Sequence, residues 1–308
     1  MKHIFQKTLS QSVSFKGVGL HSGKNVKINV IPAKDNEGIV FKRIDLAKNN
    51  LIKANFANVS SAKLCTTLKN NYAVKVSTVE HLLAALYLAD IDNAIIEIDN
   101  SEVPIMDGSA KIFLEAFKNS KVINLKEKRK FLKIEERIEL IDGSKKISIE
   151  PSDDSFEVEF QLNYDNSIIG KQKNTINFDK DNVEDIYQSR TFCLYDDIEK
   201  IQKAGLAKGG SLDNAVVVNE NQVLNEGGLR NKKEFVNHKI LDLVGDFLLS
   251  GKRILGKVKC YQGGHELTNK FLRKMLSTNL DLKKIKVNKS KIAEKFNTNQ
   301  STKLAVNA

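Results

Sequence analysis

The stretch from Asn231 to Gly251, NKKEFVNHKILDLVGDFLLSG, constrains the fold more than any other part of the sequence. Its spacing predicts one helix, and apolar side chains occupy nearly every direction around the axis of that helix. Asn231 is a suitable N-cap with Glu234 three residues later, and Gly251 is a suitable stop. We therefore predict a central helix that is covered by protein on both flanks.

Three polar residues interrupt the apolar surface of this helix. His238, Asp242 and Asp246 follow one another at i, i+4 and i+8, so they form one stripe. A buried carboxylate is costly unless a cation or several hydrogen-bond donors meet it. His-x3-Asp on a helix can present an imidazole and a carboxylate to one zinc ion. The pattern alone leaves a surface pair or a hydrogen-bonded buried pair as the alternative.

The length of 308 residues exceeds what one hydrophobic core usually serves, so two domains are expected. No apolar run approaches the roughly 20 residues of a membrane span. The first residues, MKHIFQKTLSQSVSF, lack the apolar core of a signal peptide. We expect a cytoplasmic protein.

The cysteines Cys65, Cys193 and Cys260 are odd in number and widely spaced. This argues against both a disulfide framework and a cysteine-based metal cluster. Any metal must therefore be held by histidines and carboxylates.

The net charge of +11 raises the question of nucleic-acid binding. Seven lysines and one glutamate lie between Lys283 and Ala308, so this part contributes +6 and leaves +5 for the rest. We predict that residues 277–308 form a solvated basic tail, with transient contact to an anionic membrane surface as the alternative. Nucleic acid is not the expected partner.

The predicted elements occur twice in the same order. In each half, strand hairpins precede a helix, a strand, a glycine loop and a second helix. The offset from His81 to Gly108 is 27 residues, and the offset from His238 to Gly264 is 26. This predicts an α+β fold of two duplicated domains, each a sheet with a helical layer, and it places His81 and His238 on related helices.

We place the first domain at residues 1–127 and the second at residues 128–276. The second contains an additional segment, at about residues 191–225, that predicts a short helix, a glycine-marked loop and a strand. Its glycines lack the Gly-Lys-Ser/Thr ending of a phosphate-binding loop. We interpret the segment as an inserted βαβ element that lies beside the site and contributes to substrate binding.

Two further histidines carry competing interpretations. Glu80 precedes His81, as in zinc hydrolases whose glutamate acts as general base beside a ligand histidine. Alternatively, Ser77 is an N-cap, Glu80 completes its capping box and His81 is an ordinary helix residue. His265 follows two glycines and is either an accessible site residue or a surface loop residue.

Seven blocks carry a resemblance to a known family: GVGLHSGK, TVEHLLAAL, VPIMDGSA, SRTF, GGSLDNAVVV, NEGGLRNKKEFVNHKILDLVGD and GGHELTNK. Together they resemble the UDP-3-O-acyl-N-acetylglucosamine deacetylases, the zinc amidases that commit Gram-negative bacteria to lipid A synthesis. The resemblance runs from about residue 5 to residue 275. It implies that the partner of this chain is a UDP-linked acylated amino sugar, and we expect a monomer.

The resemblance implies a metal site and a general base. The family's zinc ligands match His81, His238 and Asp242, which leaves a fourth position for water. One zinc ion is expected per chain, with iron(II) as the alternative metal. Glu80 matches the base that deprotonates the attacking water.

The resemblance also implies roles for four polar residues. Thr191 matches the hydroxyl that stabilises the oxyanion. His265 matches a protonated histidine that stabilises developing charge and delivers a proton to the leaving amine. Asp246 matches the carboxylate that orients His265 and raises its pKa, and Lys239 matches a cationic substrate contact.

The inserted element matches the family's passage for the 3-O-acyl chain, with Leu206, Ala215 and Val217 as candidate lining residues. The family fold packs the two helical layers together and places zinc at one end of their interface. Asn214 and Cys193 stand where many members carry cysteine and glycine, respectively. These two differences concern the walls of the substrate groove rather than the zinc chemistry.

Two other functions stay open at this point. One is a zinc amidohydrolase of the same architecture that acts on a different acetylated sugar. The other is a basic RNA-binding module, which would need clustered cations and exposed aromatic residues on a sheet face.

Overall fold

The computed structural model describes residues 4–277. Its strands are β1 (Phe5–Leu9), β2 (Val13–Val18), β3 (Asn25–Pro32), β4 (Ile39–Arg43), β5 (Leu51–Lys53), β6 (Val59–Ser61), β7 (Thr67–Lys69), β8 (Lys75–Val76), β9 (Ala94–Ile98), β10 (Val122–Lys128), β11 (Phe131–Lys133), β12 (Ile138–Asp142), β13 (Lys145–Pro151), β14 (Phe156–Asn163), β15 (Lys171–Asn177), β16 (Phe192–Leu194), β17 (Val216–Asn219), β18 (Gln222–Val223) and β19 (Arg253–Tyr261). Its α-helices are α1 (Glu80–Leu88), α2 (Lys111–Asn119), α3 (Glu184–Gln188), α4 (Tyr195–Lys203), α5 (Glu234–Leu248) and α6 (His265–Ser277).

The two main sheets have the same topology. The first has strand order β2-β3-β9-β4-β5, in which β9 and β4 are parallel and the other neighbours are antiparallel. The second has order β12-β13-β19-β14-β15, with β19 and β14 parallel and the other neighbours antiparallel; β11 pairs beside β19. The predicted α+β class is confirmed, and a duplicated unit would produce this repetition.

Helix α5 is central, as its apolar periphery predicted. All of its side chains are buried except that of Lys239. It packs against α1 so closely that the backbones of the two helices meet at Gly245 and Glu80. The helical layers of the two halves are therefore in direct contact.

The predicted N-cap of α5, Asn231, was wrong by two residues, because the N-cap is Lys233. The helix begins at Glu234, and the side-chain oxygen of Asn231 accepts a hydrogen bond from the backbone N–H of Lys233 in the turn before it. Glu234 completes no capping box with Asn231, because its carboxylate accepts from Arg190 and from the backbone N–H of Arg230.

The predicted capping box of α1 was also wrong. The helix begins at Glu80 and its N-cap is Val79, which has no side-chain hydrogen bond to offer. The carboxylate of Glu80 instead accepts the backbone N–H of Thr66. Glu80 is therefore available to the site rather than committed to its own helix.

The inserted segment has the predicted βαβ form. Strands β16 and β17 are parallel, and α4 lies between them in the chain. A further short strand, β18, returns antiparallel to β17.

None of the helices in residues 4–277 is both long enough and apolar enough to cross a bilayer. The predicted basic tail lies outside the described residues, apart from Ser277 at the end of α6.

Candidate metal centre

Helices α1 and α5 bring three metal-binding side chains together. The Nε2 of His81 and the Nε2 of His238 lie 3.5 Å and 3.3 Å from the Oδ1 of Asp242. One ligand atom from each residue lies within 4.8 Å of the others, and all three residues are buried. The structure thus brings together the residues whose types suggested a metal site, although His81 is far from the other two in sequence.

The donor set fits a divalent metal ion. The Oδ1 of Asp242 is buried and has no hydrogen-bond partner among residues 4–277, although it faces two imidazole nitrogens. Two nitrogens and one carboxylate oxygen are the ligands that zinc takes in catalytic sites, where a fourth position stays open. A cation between these atoms would remove the cost of leaving the buried oxygen unpaired.

The protonation states also suit a metal. The Nδ1 of His238 lies 3.1 Å from the carbonyl oxygen of Ser189. Because a carbonyl only accepts, Nδ1 carries the proton and the Nε2 lone pair faces Asp242. Burial lowers the pKa of His238 to about 3, which keeps the imidazole neutral. Burial opposes ionisation of Asp242, but His238, Lys239 and His265 outweigh it and hold the pKa of Asp242 well below its usual value.

Glu80 and His265 lie beside this group. The Oε1 of Glu80 is 3.7 Å from the Nε2 of His265, which is itself 3.9 Å from the Oδ2 of Asp242. Burial raises the pKa of Glu80 above its usual value, against the opposing effect of the positive charge on His265. A carboxylate with a raised pKa is a stronger proton acceptor than an ordinary one.

Asp246 holds His265 from the other side. Its Oδ2 lies 2.8 Å from the Nδ1 of His265, one turn of α5 beyond Asp242. Burial lowers the pKa of His265, but Asp246, Glu80 and Asp242 outweigh it and raise that pKa to about 10. The imidazole of His265 is therefore protonated, with its Nε2 3.7 Å from the Oε1 of Glu80.

A segment next to α5 carries Thr191. Its backbone N–H donates to the carbonyl of Gly108, and its own carbonyl accepts from Val216. Its hydroxyl makes no hydrogen bond within the described part of the chain. The neighbouring Ser189 bonds His238, so this segment lies along one wall of the site.

A buried ion pair holds this segment against α5. The Nε of Arg190 donates to the Oε1 of Glu234 at 2.8 Å, and the Nη2 of Arg190 donates to the Oε2 of Glu234 and to the carbonyl of Gly228. Glu234 is fully buried. Sequence analysis assigned Glu234 to a capping box and did not single out Arg190, because an ion pair over 44 residues has no local pattern.

Lys239 lies at the mouth of the site. Its Nζ donates to the Oδ2 of Asp242 at 2.9 Å and sits 5.4 Å from the centre of the Phe192 ring. Burial lowers the pKa of Lys239, but Asp242 outweighs burial and raises it, so the ammonium stays charged. Its side chain is 21% exposed, which leaves a cation within reach of an anionic substrate group.

The candidate acyl-passage residues lie in the inserted element. Val217 is buried in β17 but lies outside the main core that contains Val216 and Val218, so it faces the other side of the strand. Ala215 and Leu206 are half-buried nearby in the chain. No contact in the described residues joins these three side chains to the metal group, and their role stays a prediction.

Sequence analysis missed Thr66. It precedes β7, is 2% exposed and contacts both Glu80 and Asp246. Thr66 is one of two threonines in LCTTL and belongs to no motif, and Asp246 lies 180 residues away. The backbone N–H of half-buried His21 donates to Glu102, and the ring nitrogens of His21 have no hydrogen-bond partner among residues 4–277.

Comparison with known proteins agrees with the family resemblance found in the sequence. The model of the family described as LpxC, UDP-3-O-acyl N-acetylglycosamine deacetylase, matches residues 6–277. The chain is 43% identical over 274 residues to the UDP-3-O-acyl-N-acetylglucosamine deacetylase of Geotalea uraniireducens (strain Rf4), covering 89% of each chain.

Two further relatives carry the same name. The chain is 42% identical over 278 residues to the protein of Pseudoalteromonas translucida (strain TAC 125), covering 89% of this chain and 91% of that one. It is 43% identical over 277 residues to the protein of Haemophilus influenzae (strain 86-028NP), covering 89% and 90%. With the family model matching most of its length, this chain belongs to the UDP-3-O-acyl N-acetylglycosamine deacetylase family.

Proposed function

We propose that this chain is a hydrolase that removes the acetyl group of UDP-3-O-acyl-N-acetylglucosamine, the deacetylation step of lipid A biosynthesis. Membership of the deacetylase family supports the reaction. One observation carries the assignment of the active site. Glu80 and His265 lie beside the buried group of His81, His238 and Asp242.

We propose that His81, His238 and Asp242 hold one zinc ion per chain, with iron(II) as the alternative. A divalent ion bound there would supply a Lewis acid that lowers the pKa of a water molecule and polarises an amide carbonyl. Glu80 and His265 lie beside the three-ligand set. The nitrogen and oxygen donors favour zinc over softer metals that prefer thiolates.

The proton transfers follow from the two buried groups beside the ligands. Glu80 accepts a proton from the attacking water as the water oxygen forms a bond to the acetamide carbon. His265 donates the proton on its Nε2 to the sugar nitrogen as the carbon–nitrogen bond breaks. The products are the free amine and acetate. Asp246 keeps His265 protonated and in place between these events.

Two further side chains bind the substrate in this scheme. The free hydroxyl of Thr191 donates to the negative charge that develops on the carbonyl oxygen. The ammonium of Lys239 binds an anionic or polar group of the substrate at the mouth of the site. Leu206, Ala215 and Val217 of the inserted element line the passage for the 3-O-acyl chain.

We also propose the domain boundaries stated above, at residues 1–127 and 128–276, with the insertion at about 191–225. The repeated sheet topology supports them. We further propose that the enzyme works as a cytoplasmic monomer. Gel filtration with light scattering would test the monomer, and cell fractionation would test the location.

Metal content and acetate release, measured on the same samples, test the function. The wild type should bind about one zinc per chain and release acetate from UDP-3-O-acyl-N-acetylglucosamine. His238→Ala and Asp242→Asn should lose both properties while their far-UV circular dichroism is retained. Asp142→Asn is the matched control, because Asp142 is half-exposed and pairs with Lys270 away from the site.

The outcomes separate the alternatives. Zinc without acetate release would keep the metal site and redirect the search to other acetylated sugars, tested by competition with substrates that lack the acyl chain or the UDP. A chain without metal but with salt-dependent RNA binding would overturn the proposal in favour of a nucleic-acid-binding module.

A further inference from the structure

Thr66 is the residue that joins the two carboxylates on opposite sides of His265. Its hydroxyl donates to the Oδ1 of Asp246 at 2.7 Å, and its backbone N–H donates to the Oε2 of Glu80 at 3.0 Å. Its carbonyl accepts the backbone N–H of Val79, which caps α1. All of the polar groups of one buried threonine are therefore used at the junction of α1 and α5.

Each carboxylate oxygen of Asp246 accepts a different hydrogen bond. The Oδ1 accepts from Thr66, and the Oδ2 accepts from the Nδ1 of His265 at 2.8 Å. A carboxylate held at both oxygens has little freedom to rotate about its terminal torsion. The imidazole of His265 is then held in one orientation, with its Nε2 toward Glu80.

Two residues next to the contacts of Thr66 have an unusual backbone conformation. Leu64, two residues earlier, has φ of 69°, and Thr78, just before α1, has φ of 56°. Side chains disfavour this left-handed region, most of all β-branched ones. Such residues persist only where the surroundings over-determine them, and they cluster at functional sites.

We propose that Thr66 is a positioning residue of the deacetylase, one that sets the orientation of His265 through Asp246 and that of Glu80 through its backbone N–H. The inference rests on the proposed function of Glu80 and His265. The hydrogen bonds of Thr66 within residues 4–277 involve neither the three metal ligands nor Lys239 at the mouth of the site. Its effect should therefore fall on the chemical step and leave metal binding and substrate binding unchanged.

Replacement of the hydroxyl alone provides the test. Thr66→Val keeps the shape of the side chain but cannot donate to Asp246, so kcat should fall about 10- to 100-fold, the cost of a small misplacement of a reacting group. KM and the zinc content should not change. Thr66→Ser restores the donor and should restore kcat. Thr66→Ala serves in place of the valine variant if the valine prevents folding.

Thr8→Val is the matched control. Thr8 is also a buried threonine in the first half of the chain, and its hydroxyl donates to the carbonyl of Asn93, away from the site. It should lose stability as Thr66→Val does, but keep kcat. Wild-type kcat in Thr66→Val and Thr66→Ala, or an equal loss of kcat in Thr8→Val, would overturn the proposal.

A spectroscopic measurement separates this inference from the function. In the zinc-loaded protein without substrate, the Nδ1–H of His265 bonded to Asp246 should give a downfield proton resonance in NMR. That resonance should shift or broaden in Thr66→Val and return in Thr66→Ser. An unchanged resonance in Thr66→Val would refute the positioning role. If the wild type released no acetate, the proposed function would fail, and this resonance would still decide the role of Thr66.

Discussion

Gly245 of α5 lies against the backbone of Glu80 at the start of α1 with no space for a methyl group between them. A Cβ at Gly245 would stand 2.1 Å from the carbonyl oxygen of Glu80 and 3.2 Å from the backbone nitrogen of Ala84. Backbone cannot move aside as a flexible side chain can. This contact sets the distance between the helix that carries His81 and the helix that carries His238.

Gly245→Ala should therefore destabilise the protein. Helix propensity alone would favour alanine by about 1 kcal/mol, but the overlap with α1 should dominate and give a net loss of about 1–3 kcal/mol. Zinc affinity should fall as well, because His81 and His238 move apart. Urea unfolding and metal titration measure the two effects.

Gly264→Ala is the control for that stability measurement, since a Cβ there meets nothing within 4 Å. Equal unfolding midpoints for Gly245→Ala and the wild type would show that the two helices can separate at no cost, contrary to this packing.

Glu80→Gln should leave a folded, metal-loaded and inactive protein. The amide keeps the size of the side chain but cannot accept the proton of water, so acetate release should fall by about 10²- to 10⁴-fold. Zinc content should remain that of the wild type, because Glu80 is not among the three ligands. Glu115→Gln, an exposed position on α2, should keep full activity. Loss of zinc from Glu80→Gln would mean that Glu80 is a ligand instead.

The stability of the metal-free protein should depend on pH through His265. The three carboxylates raise its folded pKa to about 10, above the value of about 6.5 for an unfolded histidine. Its stabilising contribution is then fully present below about pH 6.5 and is lost as the pH rises toward about 10.

Denaturant unfolding of wild type and His265→Gln across this range tests the sign. The wild type should be the more stable protein at the acidic end, and the difference should shrink steadily toward the alkaline end. A difference that stays constant with pH would contradict the raised pKa. Added zinc should narrow the pH range over which the stability difference is lost, because a nearby cation lowers the pKa of His265.

Glu234→Ala should be among the most destabilising substitutions in the second half of the chain. It leaves the buried guanidinium of Arg190 without its carboxylate, which typically costs about 3–5 kcal/mol. The carbonyl of Ser189 should shift with Arg190 and weaken zinc binding through His238. Unfolding and zinc titration report the two losses.

Glu199→Ala provides the comparison for an exposed pair. Glu199 pairs with Lys203 on the exposed surface of α4, and such pairs are worth about 0.5 kcal/mol. Similar losses in Glu199→Ala and Glu234→Ala would show that burial of the Arg190 pair has no special effect.

Much of the fold followed from local pattern. The helical period around His238 predicted a central buried helix and placed His238, Asp242 and Asp246 in one polar stripe on it. The strands at Ala94–Ile98 and Arg253–Tyr261 each follow the histidine-bearing helix of their half, as the repeated element order predicted. These inferences succeed because neighbours on one helix or strand have a spacing set by backbone geometry alone. The metal set and the catalytic roles came from family resemblance, and they remain to be tested.

Only the tertiary structure decided which distant groups meet. Thr66 and Asp246 are separated by 180 residues. The carboxylate of Glu80 accepts the backbone N–H of Thr66 instead of completing the expected capping box. Similarly, Glu234 accepts from the guanidinium of Arg190 and does not complete the predicted capping box of α5. In each case a buried charge gains more from a partner brought by packing than from a local, solvent-screened one. The sequence by itself determined the helix and its polar stripe of His238, Asp242 and Asp246, whereas the packing of α1 on α5 decided how the residues around them are held.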